Sequence, residues 1–241
     1  MTHVVVAVVT GFGPFGDRHS HVNPSWEAVK ALPDTITVAD GECVVKVYKF
    51  ELPVEYGAVQ RLAPELHARH RPDIVFHCGV GKSHMYCLES VAHSKGYVRP
   101  DNIGCTGSND CDADTLTVDV DLLQALTHDL NATNPPDPVV ISDDAGRFLC
   151  EFTLFQSLNL ARRSRRPLSL FFHVPPGHVE ASTELIKRSL VYLARHAYGA
   201  SGAFAVEGLV GRGAPNPINW PTAPSLSLRL AVVPVTGTGS N

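Results

Sequence analysis

Nowhere in its 241 residues does the chain stay apolar for the roughly 18 residues that a bilayer-spanning helix needs, which excludes a transmembrane protein. A secretory leader is lacking too. Met1-Thr2-His3 leads straight into Val4-Val5-Val6-Ala7-Val8-Val9, with no basic segment and no small-residue cleavage site, so the N-terminus reads as a strand. Neither sign of charge dominates: 20 Lys and Arg stand against 24 Asp and Glu, a formal net charge of −4. That balance gives no basic field for nucleic acid or an anionic membrane. The one basic run, Arg162-Arg163-Ser164-Arg165-Arg166, follows a helix-like segment and reads as a solvated helix C-terminus.

Metal-binding spacing is equally scarce. His77, Cys78, His84, Cys87, His93, Cys105 and Cys111 offer the right donors, but no C-x₂-C or H-x₃-H pair occurs among them. His77 and Cys78 also fall in a strand, where neighbouring side chains point to opposite faces. Asp110, Asp112 and Asp114 mimic the start of a calcium loop but lack its glycine and closing glutamate. No metal and no cofactor is expected. The 6 cysteines are irregularly spaced and read as reduced thiols, which points to a soluble cytoplasmic protein.

What is present is alternation. Apolar runs at Val4–Val9, Cys43–Phe50, Ile74–Val80, Val139–Ile141 and Leu168–Val174 are strand-like. Between them lie helical patterns at Asn23-Pro24-Ser25-Trp26, Val54–Arg69, Asp121–Leu130, Cys150–Arg162 and Glu180–His196. The pattern predicts an α/β fold, a three-layer α/β/α sandwich with a mostly parallel mixed central sheet. Lys46, Tyr48 and Lys49 mark the Cys43–Phe50 strand as edge-like. Residues 1–198 are expected to form a single catalytic domain. Residues 199–241 hold 7 Gly and 5 Pro with only three charged residues, and read as a mostly irregular extension in which Leu226–Val235 could add a strand.

Three polar residues fall where chemistry could use them. Cys150 sits in the first turn of a helix behind the strand Val139-Val140-Ile141, where unpaired N–H groups favour a thiolate and could receive an oxyanion. A buried small hydrophobe is the commoner fate of a free cysteine. His173 closes the Leu168–Val174 strand, one helix later, so both residues should meet at the carboxyl edge of a parallel sheet. An exposed strand-end histidine is the alternative. Glu89 interrupts the apolar stretch Met85–Ala92, and a carboxylate there needs a partner such as an imidazolium. Gly11-Phe12-Gly13-Pro14-Phe15-Gly16 has the spacing of a dinucleotide turn, but Pro14 removes a donor and no helix opens there. Its phenylalanines suit the lip of a small apolar pocket instead.

Taken together, the glycine loop with Asn23-Pro24-Ser25-Trp26, Leu88-Glu89-Ser90-Val91-Ala92, Pro100-Asp101-Asn102, Ser142–Cys150 and Phe172-His173-Val174-Pro175 resemble the pyroglutamyl peptidase I family of cysteine peptidases, in order over about residues 4–196. The resemblance implies removal of N-terminal pyroglutamate from peptides by a Cys150–His173–Glu89 triad through a thioester. It also implies Phe12, Phe15 and Phe148 as walls of the lactam site, with the Val80 backbone bonding the ring. Ser94 stands where relatives usually carry Asn, and Val98 and Arg99 stand near a position where bacterial relatives carry Arg. Two other classes fit the pattern: a binding protein that kept the pocket without the chemistry, and a nucleoside-phosphorylase-like enzyme. Intact Cys150, His173 and Glu89 oppose the first, and the lack of a phosphate cradle opposes the second.

Overall fold

Strand β1 (His3–Phe12) is the β-branched N-terminal run, and it lies inside a seven-stranded sheet with a parallel partner on each side. Those partners are β3 (Cys43–Leu52) and β4 (Ile74–Val80). In this computed structural model, residues 2–16, 21–38, 43–109, 111–162 and 167–203 are described. Beyond β4 come β9 (Leu168–Val174), β5 (Tyr86–Glu89) and β8 (Val139–Ser142), and beyond β3 the three-residue β2 (Thr35–Thr37). Two more short strands, β6 (Val91–His93) and β7 (Thr115–Thr117), form an antiparallel pair of their own.

Side-chain caps start two of the helices. The Asn23 carboxamide accepts the Ser25 N–H at the head of α1 (Pro24–Lys30), and Pro24 takes the position where an N–H would be orphaned anyway. α2 (Tyr56–His70) ends on Arg71, whose φ of 45° is left-handed. Asp119 caps α3 (Val120–Asn131) through the N–H groups of Asp121 and Leu122. α4 (Leu149–Ala161) has no side-chain cap, which leaves its first N–H groups uncommitted. α1, α3 and α5 (Val179–Ala203) cover one face of the sheet, while α2 and α4 cover the other. Buried on both faces, the neighbours Val8 and Val9, Val75 and Phe76, and Phe171 and Phe172 belong to continuous apolar runs.

Three expectations need correction. The edge character of β3 is only partial, because β2 covers Val44–Lys46 and leaves the later residues of β3 unpaired on that side. α5 runs on to Ala203, past the boundary drawn at 198; residues 204–241, including Leu226–Val235, lie outside the described residues. The third correction bears on the site: β5 runs antiparallel to β9 and β8 runs parallel to β5, so the strand before Cys150 points away from the carboxyl edge where His173 sits. The segment 143–148 carries the chain back, so that α4 delivers Cys150 from the helical layer. Among the described residues, no helix is long and apolar enough to cross a membrane.

Candidate active site

His173 and Glu89 are set by strand register. Cys87 of β5 lies directly opposite His173 of β9, so Glu89, two residues on, shares the face of His173 as its diagonal neighbour. The His173 ring Nδ1 and Glu89 Oε1 are 2.7 Å apart, and both side chains are buried. A buried carboxylate against Nδ1 fixes the tautomer and leaves Nε2 for chemistry. Cys150 is the second residue of α4, in the first turn.

Gly79 decides how close the sulfur can come. It pairs with His173 in the β4–β9 register, and a Cβ built on it would lie 2.8 Å from Cys150 Sγ and 2.8 Å from the Phe171 ring. Only a residue without a side chain lets the thiol rest on this strand. Gly81 does the same for His173, whose Cβ would be 2.7 Å from an added methyl. Burial alone would lower the His173 pKa, but the charge and hydrogen bond of Cys150, then those of Glu89, push it up to about 10. The imidazole therefore holds its proton at neutral pH beside the sulfur, the arrangement a thiolate needs.

Beside Cys150 lies a narrow slot lined by Phe12, Phe15, Val54, Val80, Phe148 and Leu149, together with the buried Asn23. Phe12, Phe15 and Phe148, expected as walls, line it together with Val80, which was expected there through its backbone. The glycine loop is built as a wall: Gly13 N–H donates to the Leu52 carbonyl, Phe12 N–H to Ser25 Oγ, and Asn23 Nδ2 to the Gly13 carbonyl. The Phe12 and Gly13 N–H groups are thereby committed within the fold and do not face a ligand phosphate. His77, one of the donors considered for a metal, is a core residue whose ring nitrogens meet Thr10 and Ser157 hydroxyls, each at 2.7 Å; burial pushes its pKa down to about 3.

The sequence profile of the pyroglutamyl peptidase family covers residues 4–192. The chain belongs to the pyroglutamyl peptidase family. Over 190 residues it is 42% identical to pyroglutamyl-peptidase 1 of Rattus norvegicus, covering 76% of this chain and 85% of that protein. It is 32% identical over 185 residues to pyrrolidone-carboxylate peptidase of Thermococcus kodakarensis, covering 72% and 82%. The fold matches the solved pyrrolidone carboxyl peptidase of Thermococcus litoralis with a TM-score of 0.69 at 21% identity, covering 82% of this chain and 96% of that one.

In this member of the pyroglutamyl peptidase family, Tyr56, which the sequence did not mark, and Arg99, noted there only as standing near an arginine position of bacterial relatives, support the slot. Tyr56 meets the Phe148 ring edge-on with centroids 5.9 Å apart, and the Arg99 guanidinium lies 4.2 Å from the centroid of that ring. The Tyr56 hydroxyl donates to the Arg99 carbonyl at 3.1 Å, which ties the three together. No local pattern marks them, since their roles arise from contacts 43 residues apart or more. Ser94, singled out as a departure, is buried with its hydroxyl unpartnered among the described residues.

Gly79→Ala is the direct check on the sulfur's placement. The added methyl must displace Cys150 Sγ or Phe171, and a misplacement of about 1 Å can cost on the order of 10²-fold in rate. We expect kcat for a pyroglutamyl arylamide to fall at least tenfold, on the order of that cost, with circular dichroism unchanged. A variant with wild-type kcat would show that the thiol does not need this position.

Proposed function

We propose that the chain is a cysteine peptidase that hydrolyses the amide bond after an N-terminal pyroglutamate, with Cys150 as nucleophile, His173 as base and acid, and Glu89 as the group that orients His173. The observation that carries the reading is a first-turn thiol resting on Gly79, next to a buried His173–Glu89 pair, at the end of an apolar slot. His173 takes the thiol proton, and the thiolate forms a C–S bond to the pyroglutamyl carbonyl. The uncapped N–H groups of α4 face the oxygen that becomes negative. As the C–N bond breaks, imidazolium protonates the leaving amine; water, deprotonated by His173, then cleaves the thioester and frees pyroglutamate.

Specificity follows from desolvation. A lactam is neutral and flat, whereas any other N-terminal residue would bring an ammonium among Phe12, Phe15, Val80 and Phe148. The substrates are accordingly peptides with a blocked, cyclised N-terminus. Six free cysteines, buried or exposed, support work in the reducing cytoplasm. The test is hydrolysis of pyroglutamyl, prolyl and glutamyl arylamides by the purified full-length chain without added metal or cofactor. We expect the pyroglutamyl substrate to be preferred by kcat/KM at least about 10²-fold over both others. Equal rates on the prolyl amide, or no cleavage of any, would overturn the reading.

A further inference from the structure

The residue after the nucleophile is a second buried carboxylate that the triad does not use. Glu151 is fully buried. Its Oε1 accepts the His93 N–H at 2.9 Å, meets His93 Nδ1 at 2.7 Å and takes Arg147 Nη1 at 2.5 Å, while Oε2 has no partner among the described residues. The place for Arg147 is prepared. Gly96 has a φ of 97°, and a Cβ there would press on Arg147 Cδ and Nε at 3.3 Å. The Tyr97 hydroxyl donates to the His93 carbonyl and holds β6 against the cluster.

The placement creates a conflict. A Glu151 carboxylate and a Cys150 thiolate would be adjacent anions in the first turn of α4, and like charges close together disfavour each other. We propose that Arg147 is a positioning residue that turns the Glu151 carboxylate toward β6 and cancels its charge, so that Cys150 ionises beside it. The charged and titratable groups around Cys150 are His173 from β9, Glu89 from β5, Tyr56 from α2 with Asp101 and Arg99 beside it, and His93, Arg147 and Glu151 in this cluster. The carboxylates in that set are each matched: Glu89 by His173, Asp101 by the N–H groups of Tyr56, Ile103 and Cys105, and Glu151 by Arg147 with His93. The inference rests on Cys150 being the nucleophile of the proposed reaction.

Opposite signs make the test. The second-order rate of Cys150 alkylation by iodoacetamide, located by peptide mapping and followed across pH, reads thiolate formation without any substrate. Arg147→Met should slow it about tenfold near neutrality and move its rise to higher pH; Glu151→Gln should leave it equal or faster and move the rise to lower pH. The double variant should return to within about twofold of wild type, because both charges are gone. For the pyroglutamyl arylamide, kcat should follow the same order with KM held within about twofold. Arg147→Lys keeps the charge and should stay near wild type, which covers a failure of Arg147→Met to fold. Losses in the same direction for Arg147→Met and Glu151→Gln, deepened in the double variant, would overturn the proposal and leave a purely structural cluster. Alkylation with the expected signs but no cleavage of the arylamide would instead sink the substrate reading alone.

Discussion

Cys150→Ser should turn over a pyroglutamyl arylamide at less than about a thousandth of the wild-type rate, with its far-UV circular dichroism and melting temperature unchanged. The serine hydroxyl fits the space on Gly79, so the fold loses nothing. The loss is chemical: a hydroxyl does not ionise under the influence that suffices for a thiol, and His173 would have to remove its proton during attack. Cys43→Ser is the control. Burial pushes the Cys43 thiol up, with Asp73 adding to the effect, and the residue sits at the start of β3 away from the site. Burial also pushes up Cys78 and Cys87, so neither competes as a nucleophile. Turnover by Cys150→Ser within tenfold of wild type, on the order of what a positioning defect would leave, would end the assignment.

Glu89→Gln should lower kcat by about 10²- to 10⁴-fold with KM for the arylamide within about twofold, because the amide keeps the shape of the carboxylate but not the charge facing His173. A pH signature accompanies the loss. The folded His173 value of about 10 lies above its ordinary 6.5, so the stability this group contributes is complete below pH 6.5 and is lost as pH rises through about 10. Removing Glu89 removes causes that raise it, so the alkaline limb of kcat/KM should move to lower pH and the variant should lose its stability advantage sooner on alkaline titration. Were Glu89 a contact for the lactam, KM would rise with kcat retained and the alkaline limb unmoved. Were it only a polar strand end, nothing would change.

The parallel half of the sheet is legible in the sequence because β1, β4 and β9 are buried on both faces and read as nearly unbroken apolar runs, while β3 keeps its apolar Val44, Val45 and Val47 between exposed or half-buried polar residues. β2, β5, β6 and β7 are not, since three- or four-residue strands carry too few alternations to separate from loop, and their pairing partners are distant. That omission hid the reversal of β5 and β8. The residues expected at the site nevertheless converge, because a cap-less helix start, a strand-end imidazole and a carboxylate in an apolar stretch each signal an unmet electrostatic need. Glu151 sends no such signal, as an acidic residue in a first turn is ordinary there. Only its complete burial against β6 sets it apart.

The position of β5 between β8 and β9 also bears on how the protein is made. Glu89 leaves the ribosome 84 residues before the His173 it pairs with, and both neighbours of its strand follow still later than α3. Until β9 is made, β5 has an open edge on that side and Cys150 on α4 lacks the imidazole beside it, so a chain interrupted before β9 carries the proposed nucleophile without its proposed base. The proposed triad cannot close before β9 is inserted between β4 and β5.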